Sequence, residues 1–267
     1  MSSDNRRTII LKELEDRGSV GVVDLATRLG VSEMTIRRDL ADLEKEGGVR
    51  RIHGGAVSAR GRSYEPPLIL RENENQDAKR QIGKVAASLI ADGDSIALDI
   101  GSTTLEIARN LVGRRNLTVI TSSLHIANLL YSQPDIRLIL SGGMVRLGEA
   151  SLIGDLAEYA YQNLYVDRLF LGVGAIDAQS GLTEYNWDDA LVKQAMIGSA
   201  KEVILVADAS KFDRVAFARV APLDVVHQIV TDRPPTGELL ETFNRLGIFI
   251  HFAGEESDPP KDSQEDK

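Results

Sequence analysis

Cysteine is absent from the 267-residue sequence, and histidine occurs only four times. The lack of cysteine excludes disulfide bonds, cysteine-ligated zinc and a thiol nucleophile. The four histidines are too scattered to predict a metal cluster, so we expect neither a metal nor a cofactor. No apolar run is long enough to span a membrane, and the polar N-terminus lacks the apolar stretch of a signal peptide. We therefore expect a cytoplasmic protein with no membrane partner.

Charge is distributed unevenly along the chain. The net charge is −9, yet residues 1–62 hold 12 Lys and Arg against 10 Asp and Glu, whereas residues 63–267 hold 19 against 30. An acidic protein is repelled by nucleic acid, so an N-terminal segment of opposite sign points to a separate function there. The hydrophobic fraction of 43% is sufficient for the cores of one large domain or two ordinary ones.

The first sixty residues predict helices followed by a hairpin. Apolar residues at helical spacing predict one helix over residues 6–16 and a second over residues 22–29 that ends at Gly30. Ser32 is a good N-cap for a third helix. The segment VRRIHGGAVSA then predicts a tight hairpin around Gly54. This order predicts a winged helix-turn-helix domain over residues 1–58.

The third helix carries candidate DNA-binding side chains. Ile36, Leu40 and Leu43 repeat at helical spacing and define its buried face, which leaves the polar residues of its first turns exposed. Recognition helices present such N-terminal residues to base edges, and arginine can bind guanine through two hydrogen bonds. The hairpin adds positive charge where a wing meets the DNA backbone or minor groove. The predicted DNA-binding residues are Ser32, Glu33, Thr35, Arg37, Arg38, Arg50, Arg51 and His53.

Alternatives to DNA contact remain for some of these residues. Arg37 and Arg38 are also compatible with a solvated helix face, on which Arg38 would pair with Asp42. Their place on the second helix of a helix-turn-helix, followed by a basic hairpin, favours DNA contact. For His53, an ordinary exposed turn residue and a backbone contact are equally compatible with the sequence.

The remainder of the chain predicts an α/β domain. Residues 59–75 contain a Pro-Pro pair within a polar run and predict a linker, and the acidic residues 254–267 predict a disordered tail. Between them, over residues 76–253, nearly continuous apolar strands such as SIALDI and EVILVA alternate with helical stretches. This alternation predicts an open, mostly parallel sheet, which binds ligands at the carboxyl ends of its strands.

Glycine, serine and threonine follow three of the predicted strands. Glycine permits close backbone approach, hydroxyl groups donate hydrogen bonds, and a following helix N-terminus favours an anion. Each segment alone is also compatible with plain turn chemistry, but the three together predict a pocket for a phosphorylated, hydroxyl-rich ligand. Lysine suits phosphate and carboxylates suit sugar hydroxyls. The candidate ligand-binding residues are Asp99, Gly101, Ser102, Thr103, Thr104, Thr121, Ser122, Ser123, Gly142, Gly143, Glu184, Lys193 and Lys211. For Glu184 and Lys193, ligand binding is one interpretation; the other is that Glu184 lies on a surface loop and Lys193 on a solvated helix face. The two interpretations are equally compatible with the sequence.

The segment VSEMTIRRDLADLEKEGGVRRIHGGA resembles the N-terminal signature of the DeoR family of transcriptional regulators, and the resemblance continues to about residue 232. Gly48 departs from the family pattern, which usually has a larger apolar residue there, so we expect a looser start of the hairpin. The second domain resembles the family's sensor domain, which is itself similar to ribose-5-phosphate isomerase. The isomerase's phosphate loop matches residues 101–103, and its A-D-A-S-K segment matches residues 207–211.

The isomerase's catalytic residues do not carry over through this resemblance. Its two aspartates fall on Val173 and Ile176, its glutamate base on Lys193 and its lysine on Glu184. A sugar isomerase needs a carboxylate within reach of the carbon-bound proton. The resemblance therefore implies ligand binding without catalysis.

The function that the resemblance implies is sequence-specific transcriptional regulation, most often repression, of carbohydrate metabolism genes. It implies control by a phosphorylated sugar, double-stranded operator DNA as a partner, and a homodimer or homotetramer. Two alternatives remain open from the sequence. One is a sugar-phosphate isomerase or deaminase with an appended helical domain, and the other is a winged helix that docks a protein.

Overall fold

The computed structural model describes residues 2–17, 19–58 and 61–254. The first part of the chain forms a small domain of three helices and three strands. Its elements are α1 (Ser3–Arg17), β1 (Ser19–Gly21), α2 (Val22–Leu29), α3 (Glu33–Lys45), β2 (Val49–Ile52) and β3 (Gly55–Ser58). The apolar positions that predicted these helices lie in one core, where Leu11, Leu25, Ile36, Leu40 and Leu43 are fully buried.

The helix ends and the turn that the sequence predicts in this domain are present in the structure. The Ser32 side chain accepts a hydrogen bond of 3.2 Å from the backbone N–H of Thr35 and so caps α3. Gly30 ends α2 with a φ of 65°, in the left-handed region that favours glycine. β2 and β3 pair antiparallel around the predicted turn. The winged helix-turn-helix is therefore confirmed.

One strand of this domain was not predicted. β1 spans three residues and pairs antiparallel with β3, with Val20 opposite Ala56. A side chain at Gly55 would collide with the carbonyl group of Val20, so glycine permits this close pairing. A three-residue strand is too short to show an alternating pattern in the sequence.

Two basic residues of α1 attach that helix to α3. The Arg6 Nε atom lies 2.8 Å from a carboxylate oxygen of the buried Asp39, and Arg7 Nη2 lies 2.5 Å from Asp42. The position of α1 is thereby linked to that of α3. The Arg38–Asp42 pair that the sequence left open is not formed, because Asp42 pairs with Arg7 and Lys45 instead.

The segment predicted as a linker, residues 59–75, contains a helix, α4 (Leu68–Asn73). Its polar and proline-rich composition did not indicate this helix. Leu70 is buried in the core of the N-terminal domain, so the segment is packed and is not an extended connection. The exact domain boundaries remain a prediction. The predicted acidic tail, residues 254–267, lies outside the described residues except for Gly254.

Tyr64 of the same segment packs over Gly48. A Cβ atom at Gly48 would lie 2.7 Å from Tyr64 Cζ, which is closer than such atoms approach in proteins. The aromatic ring therefore occupies the space that a larger residue at position 48 would fill. The expectation of a looser hairpin start is wrong for this reason.

The second domain follows α4 directly. Its helices are α5 (Gln76–Ser88), α6 (Ser102–Arg109), α7 (Leu124–Leu130), α8 (Asp155–Gln162), α9 (Trp187–Ser199) and α10 (Gly237–Leu246). Its strands are β4 (Ser95–Leu98), β5 (Leu117–Thr121), β6 (Ile136–Leu140), β7 (Met144–Arg146), β8 (Ser151–Ile153), β9 (Val166–Leu171), β10 (Ala175–Asp177), β11 (Gly181–Glu184), β12 (Ala200–Val206), β13 (Ala218–Ala221), β14 (Gln228–Thr231) and β15 (Phe249–Phe252).

Seven strands form one sheet in the order β15-β14-β12-β9-β4-β5-β6, and all neighbours pair parallel. One face packs on α5, α6 and α7 through residues such as Ile96 and Ile107, and the other packs on α8, α9 and α10 through residues such as Leu169 and Phe243. The predicted open α/β sheet is thus confirmed. The antiparallel pair β7-β8 and the small sheet β10-β11-β13 were not predicted.

The strand order fixes where a ligand can enter the sheet. From β4 the chain builds outward through β5 and β6, and it then returns to place β9 on the other side of β4. The connections beyond the carboxyl ends of β4 and β9 therefore leave in opposite directions and open a crevice. Within the described part of the chain, no helix has both the length and the apolar character needed to cross a bilayer.

Candidate functional site

The N-terminal half of α3 presents an exposed polar surface. Arg37 and Arg38 are both exposed, and Arg37 Nη2 lies 2.9 Å from Glu33 Oε2 in an i,i+4 ion pair. This pair neutralises Glu33, which alone would face phosphate unfavourably. Arg38 forms no ion pair with any described residue, so its guanidinium group is available for a ligand such as a base edge. The Ser32 and Thr35 hydroxyl oxygens lie 2.9 Å apart at the same end of the helix.

The hairpin adds a second basic surface that is tied to α3. Arg50, Arg51 and His53 are all exposed on β2 and the following turn. The backbone N–H of Arg51 donates a hydrogen bond of 2.9 Å to a carboxylate oxygen of Glu44 on α3. This contact links the wing to α3.

Met34 was not among the predicted DNA-binding residues. It lies on the first turn of α3 with 74% of its surface exposed, although large apolar side chains are usually buried. An apolar side chain at this position can contact a thymine methyl group in the major groove. Its position between Glu33 and Thr35, off the Ile36 face, was a signal available in the sequence.

A cavity of about 50 Å³ lies at the carboxyl ends of β4, β9 and β12. Of the predicted ligand-binding residues, the cavity is lined by Gly101, Ser102, Thr103, Thr104, Glu184, Lys193 and Lys211. Asp99 lies behind it, in contact with Lys193. The structure therefore brings together eight residues from three segments that are distant in the sequence.

The loop after β4 forms the polar edge of this cavity. Gly101 has a φ of 123°, which an L-residue with a side chain rarely adopts. The Thr104 hydroxyl donates to the Gly101 carbonyl oxygen at 3.0 Å. No side chain of the described residues caps α6, so the N–H groups of its first turn remain available. Together with the helix dipole, they suit an anion such as phosphate.

Lys193 also lines the cavity and lies between two carboxylates. Its ammonium group contacts Asp99, lies 3.4 Å from Glu184 Oε2 and donates to the Gly172 carbonyl oxygen at 3.0 Å. Burial alone would lower the pKa of Lys193, but the two carboxylates outweigh it and raise that pKa, so Lys193 stays charged. Since its three N–H donors already have three acceptors, Lys193 positions the two carboxylates. Of these, Glu184 lines the cavity and can accept hydrogen bonds from sugar hydroxyl groups.

The surface interpretation of Glu184 and Lys193 is wrong, because their exposed fractions are 5% and 2%. Gly174, just after β9, gives the Glu184 side chain room. A Cβ atom at Gly174 would lie 2.8 Å from Glu184 Oε1. Val173 also lines the cavity, so an apolar side chain occupies the position where the isomerase pattern has a carboxylate.

Lys79 of α5 is a cavity residue that sequence reasoning missed. It is buried, and its ammonium group donates to the carbonyl oxygens of Arg71 and Glu74, the latter at 2.7 Å. Burial lowers the pKa of Lys79 to about 8, although Asp208 opposes this shift. In the sequence Lys79 resembles any solvated helix lysine, so only its burial distinguishes it.

Besides Asp99, five predicted ligand-binding residues do not line the cavity: Thr121, Ser122, Ser123, Gly142 and Gly143. The hydroxyl groups of Ser122 and Ser123 form hydrogen bonds within the protein. Ser122 Oγ lies 2.9 Å from Ser141 Oγ and 3.0 Å from Tyr161 Oη, and Ser123 caps α7. The expectation that three strand ends share one pocket is therefore corrected. The cavity follows β4, β9 and β12, whereas these residues follow β5 and β6.

The wall of the cavity is also connected to the N-terminal domain. Arg71 of α4 lines the cavity and pairs with Glu65 at 3.0 Å and with Glu149. Arg146 pairs with the same Glu65 at 2.8 Å. The residue before Arg71 is Leu70, which belongs to the core of the other domain. One short helix thus contacts both the cavity and the DNA-binding domain.

Two family models match the chain. The DeoR-like helix-turn-helix domain matches residues 6–61, and the DeoR C terminal sensor domain matches residues 74–233. The putative aga operon transcriptional repressor of Escherichia coli O157:H7 is 36% identical over 255 residues, which cover 95% of each protein. The glycerol-3-phosphate regulon repressor of Escherichia coli (strain K12) is 31% identical over 94% of this chain and 100% of that protein.

One similar solved structure matches part of the chain. The structure of ribose 5-phosphate isomerase A from Methanocaldococcus jannaschii is 22% identical, covers 52% of this chain and 55% of its own, and has a TM-score of 0.40. A score this low supports no argument about function. The assignment follows instead from the two family models and from the relatives that match over nearly their full length. This chain belongs to the DeoR family of transcriptional regulators.

Proposed function

We propose that this protein represses carbohydrate metabolism genes and that a phosphorylated sugar in the second domain sets its affinity for operator DNA. The observation that carries the proposal is the position of α4, which places Leu70 in the DNA-binding core and Arg71 in the cavity wall. A ligand that changes the contacts of Arg71 therefore acts on a helix that is packed into the DNA-binding domain. A ligand shifts such an equilibrium only by its different affinity for the two arrangements.

In the DNA-bound state, α3 lies in the major groove. Arg38 donates to a guanine, while the Ser32 and Thr35 hydroxyl groups contact phosphate oxygens or base edges. Arg37 pairs with Glu33, and both residues lie at the edge of the surface that contacts DNA. Arg50, Arg51 and His53 contact the backbone or the minor groove from the wing. We infer at least a dimer, because two such domains read half-sites about 34–36 Å apart.

In the second domain, the loop of residues 101–104 and the lysines Lys79 and Lys211 bind the phosphate. Glu184, positioned by Lys193, accepts hydrogen bonds from sugar hydroxyl groups, while Asp99 holds Lys193 from behind the cavity. The regulon named for the Escherichia coli (strain K12) relative concerns a phosphorylated metabolite, which supports a phosphorylated ligand here. The site binds without catalysis, because Val173 and Lys193 stand where the isomerase pattern has carboxylates. We place this regulator in the cytoplasm, where its DNA partner lies.

The DNA-binding part is tested by fluorescence anisotropy on the gene's own promoter region at several salt concentrations. Arg38→Ala should weaken specific binding about 5- to 150-fold, because a bidentate base contact contributes about 1–3 kcal/mol. Lys45→Ala, an exposed change at the far end of α3, is the matched control. Binding that is only salt-sensitive and non-specific would refute the proposal. Unchanged binding by Arg38→Ala would favour a protein-docking role for the winged helix.

The effector part is tested by a thermal-shift screen of phosphorylated sugars. Each compound that raises the unfolding temperature is then titrated against operator binding. The proposal requires at least one such compound to change the operator affinity, since sites that share a conformational equilibrium influence each other reciprocally. Stabilising compounds that all leave operator binding unchanged would contradict it.

A further inference from the structure

The inner cavity is too small to hold a sugar phosphate by itself. Its volume is about 50 Å³, whereas ligand-binding pockets range upward from about 300 Å³. A second space of about 390 Å³ adjoins it and shares five lining residues with it: Arg71, Glu74, Asn75, Ser210 and Lys211. A ligand whose phosphate enters the inner cavity must therefore extend into this second space, which we call the interdomain cleft.

The interdomain cleft is formed by both domains. Thr8 and Lys12 of α1 line one side, and Tyr185, Lys211 and Arg214 of the second domain line the other. The DNA-binding domain therefore contributes directly to the space available to the ligand. No residue of α1 was among the predicted ligand-binding residues, because the sequence does not show that α1 returns to the second domain.

The charge of the cleft favours an anion. Lys12, Lys211 and Arg214 form no ion pair with any described residue. The charge of Arg71, a fourth cation in the lining, is already balanced by carboxylates outside it. Among the described residues that line the cleft, Glu74 is the one with an acidic side chain. In a protein with a net charge of −9, this excess of cations is a local feature that attracts negative charge.

We propose that the effector is held between the two domains and carries two anionic groups. This inference rests on the proposed function. The first phosphate lies in the inner cavity. A second phosphate or a carboxylate at the other end of the molecule lies in the cleft against Lys12 and Arg214, and Lys211, which lines both spaces, lies between the two anionic groups. The ligand class is therefore a sugar bisphosphate or a phosphorylated sugar acid.

The bridging position explains how the ligand acts on the recognition helix. Lys12 lies on α1, and Arg6 and Arg7 of the same helix pair with Asp39 and Asp42 of α3. A ligand that binds Lys12 fixes α1 against the second domain. Because α1 is linked to α3 by these ion pairs, the orientation of α3 relative to a partner subunit changes with it.

The test measures ligand binding to the full chain by isothermal titration calorimetry. The probes are inorganic phosphate, fructose 6-phosphate, fructose 1,6-bisphosphate and 6-phosphogluconate. We expect Lys12→Gln to weaken the binding of at least one of the two doubly anionic probes about 10- to 150-fold, because a hydrogen bond to a charged group is lost. The other two probes should change by less than about twofold. Arg214→Gln should act in the same direction, and the two doubly anionic probes distinguish phosphate from carboxylate.

Lys45→Gln is the matched control, since it removes the same charge from an exposed position on α3. If it weakens the doubly anionic probes as much as Lys12→Gln does, the effect is one of overall charge and the inference fails. If sugar phosphates bind but Lys12→Gln changes none of them, the inference fails while the proposed function stands. If none of the four probes binds, the inference fails, whereas the proposed function is decided separately by the thermal-shift screen of phosphorylated sugars.

Discussion

Replacing Lys193 with methionine would leave the carboxylates of Asp99 and Glu184 buried without the ammonium group between them. The exposed fractions of the two carboxylic residues are 1% and 5%. Removing one partner of a buried ion pair typically reduces stability by about 3–5 kcal/mol. In a domain of this size, each kcal/mol lowers the unfolding temperature by about 2–4 °C. We therefore expect Lys193→Met to lower it by roughly 6–20 °C, measured by differential scanning calorimetry.

The pH dependence of this loss supplies an internal check. Burial already raises the pKa of Asp99 and of Glu184, while Lys193 opposes this shift. Without Lys193 both pKa values rise further, so the folded variant binds protons more tightly than its unfolded chain does. The variant therefore gains stability relative to wild type as the pH falls from 8 to 5.

Lys201→Met, an exposed change on β12, is the control for Lys193→Met and should alter the stability by less than about 0.5 kcal/mol. A fall of less than about 3 °C in Lys193→Met would refute the reasoning. A loss of stability that is identical at pH 5 and pH 8 would also refute it, because the carboxylates would then not be buried against the lysine.

Two further predictions concern the cavity and the hairpin. Burial lowers the pKa of Lys79 to about 8, and a phosphate monoester becomes a dianion above about pH 6. The affinity for fructose 6-phosphate, measured by calorimetry, should therefore be highest between these values and fall above pH 8, and Lys79→Met should weaken binding and remove the alkaline fall. If the fall persists unchanged in that variant, Lys79 does not contact the phosphate. Gly48→Val should lower the free energy of unfolding of the N-terminal domain by about 1–3 kcal/mol, because the new side chain would overlap Tyr64. Combining it with Tyr64→Ala in a double-mutant cycle should recover part of that loss in thermal unfolding, and strictly additive losses would show that the two positions do not compete for space.

Local signals made most of the fold predictable. Ser32 and Gly30 mark helix ends through side-chain capping and a left-handed backbone, and both depend only on neighbouring residues. The seven parallel strands were visible as apolar runs, since a strand covered on both faces needs little alternation. By contrast, α4 follows a Pro-Pro pair in a polar segment. Leu70 is buried because α1 packs on α4, which a local pattern cannot reveal.

The candidate site was only partly predictable, because strand order is a long-range property. Residues 101–104 were found because glycine and hydroxyl side chains follow β4 directly in the sequence. The same pattern after β5 placed Ser122 in the predicted site, although the structure uses its hydroxyl in the protein interior. β9 rather than β5 completes the crevice beside β4, and the sequence does not show which strands become neighbours. Lys79 and Lys12 were missed for the same reason, since each is an unremarkable helix lysine until the elements assemble.

The adjacency of Leu70 and Arg71 has a consequence for how this chain can vary. Consecutive helical residues are rotated by about 100° around the helix axis. Leu70 can therefore reach the DNA-binding core while Arg71 reaches the cavity in only one rotational setting of α4. Surface connections between domains usually tolerate insertions and deletions. Here a single added residue would turn the leucine or the arginine away from its neighbour while leaving every other contact residue intact. The length of this segment is therefore constrained as strongly as the chemistry of the pocket or of the recognition helix.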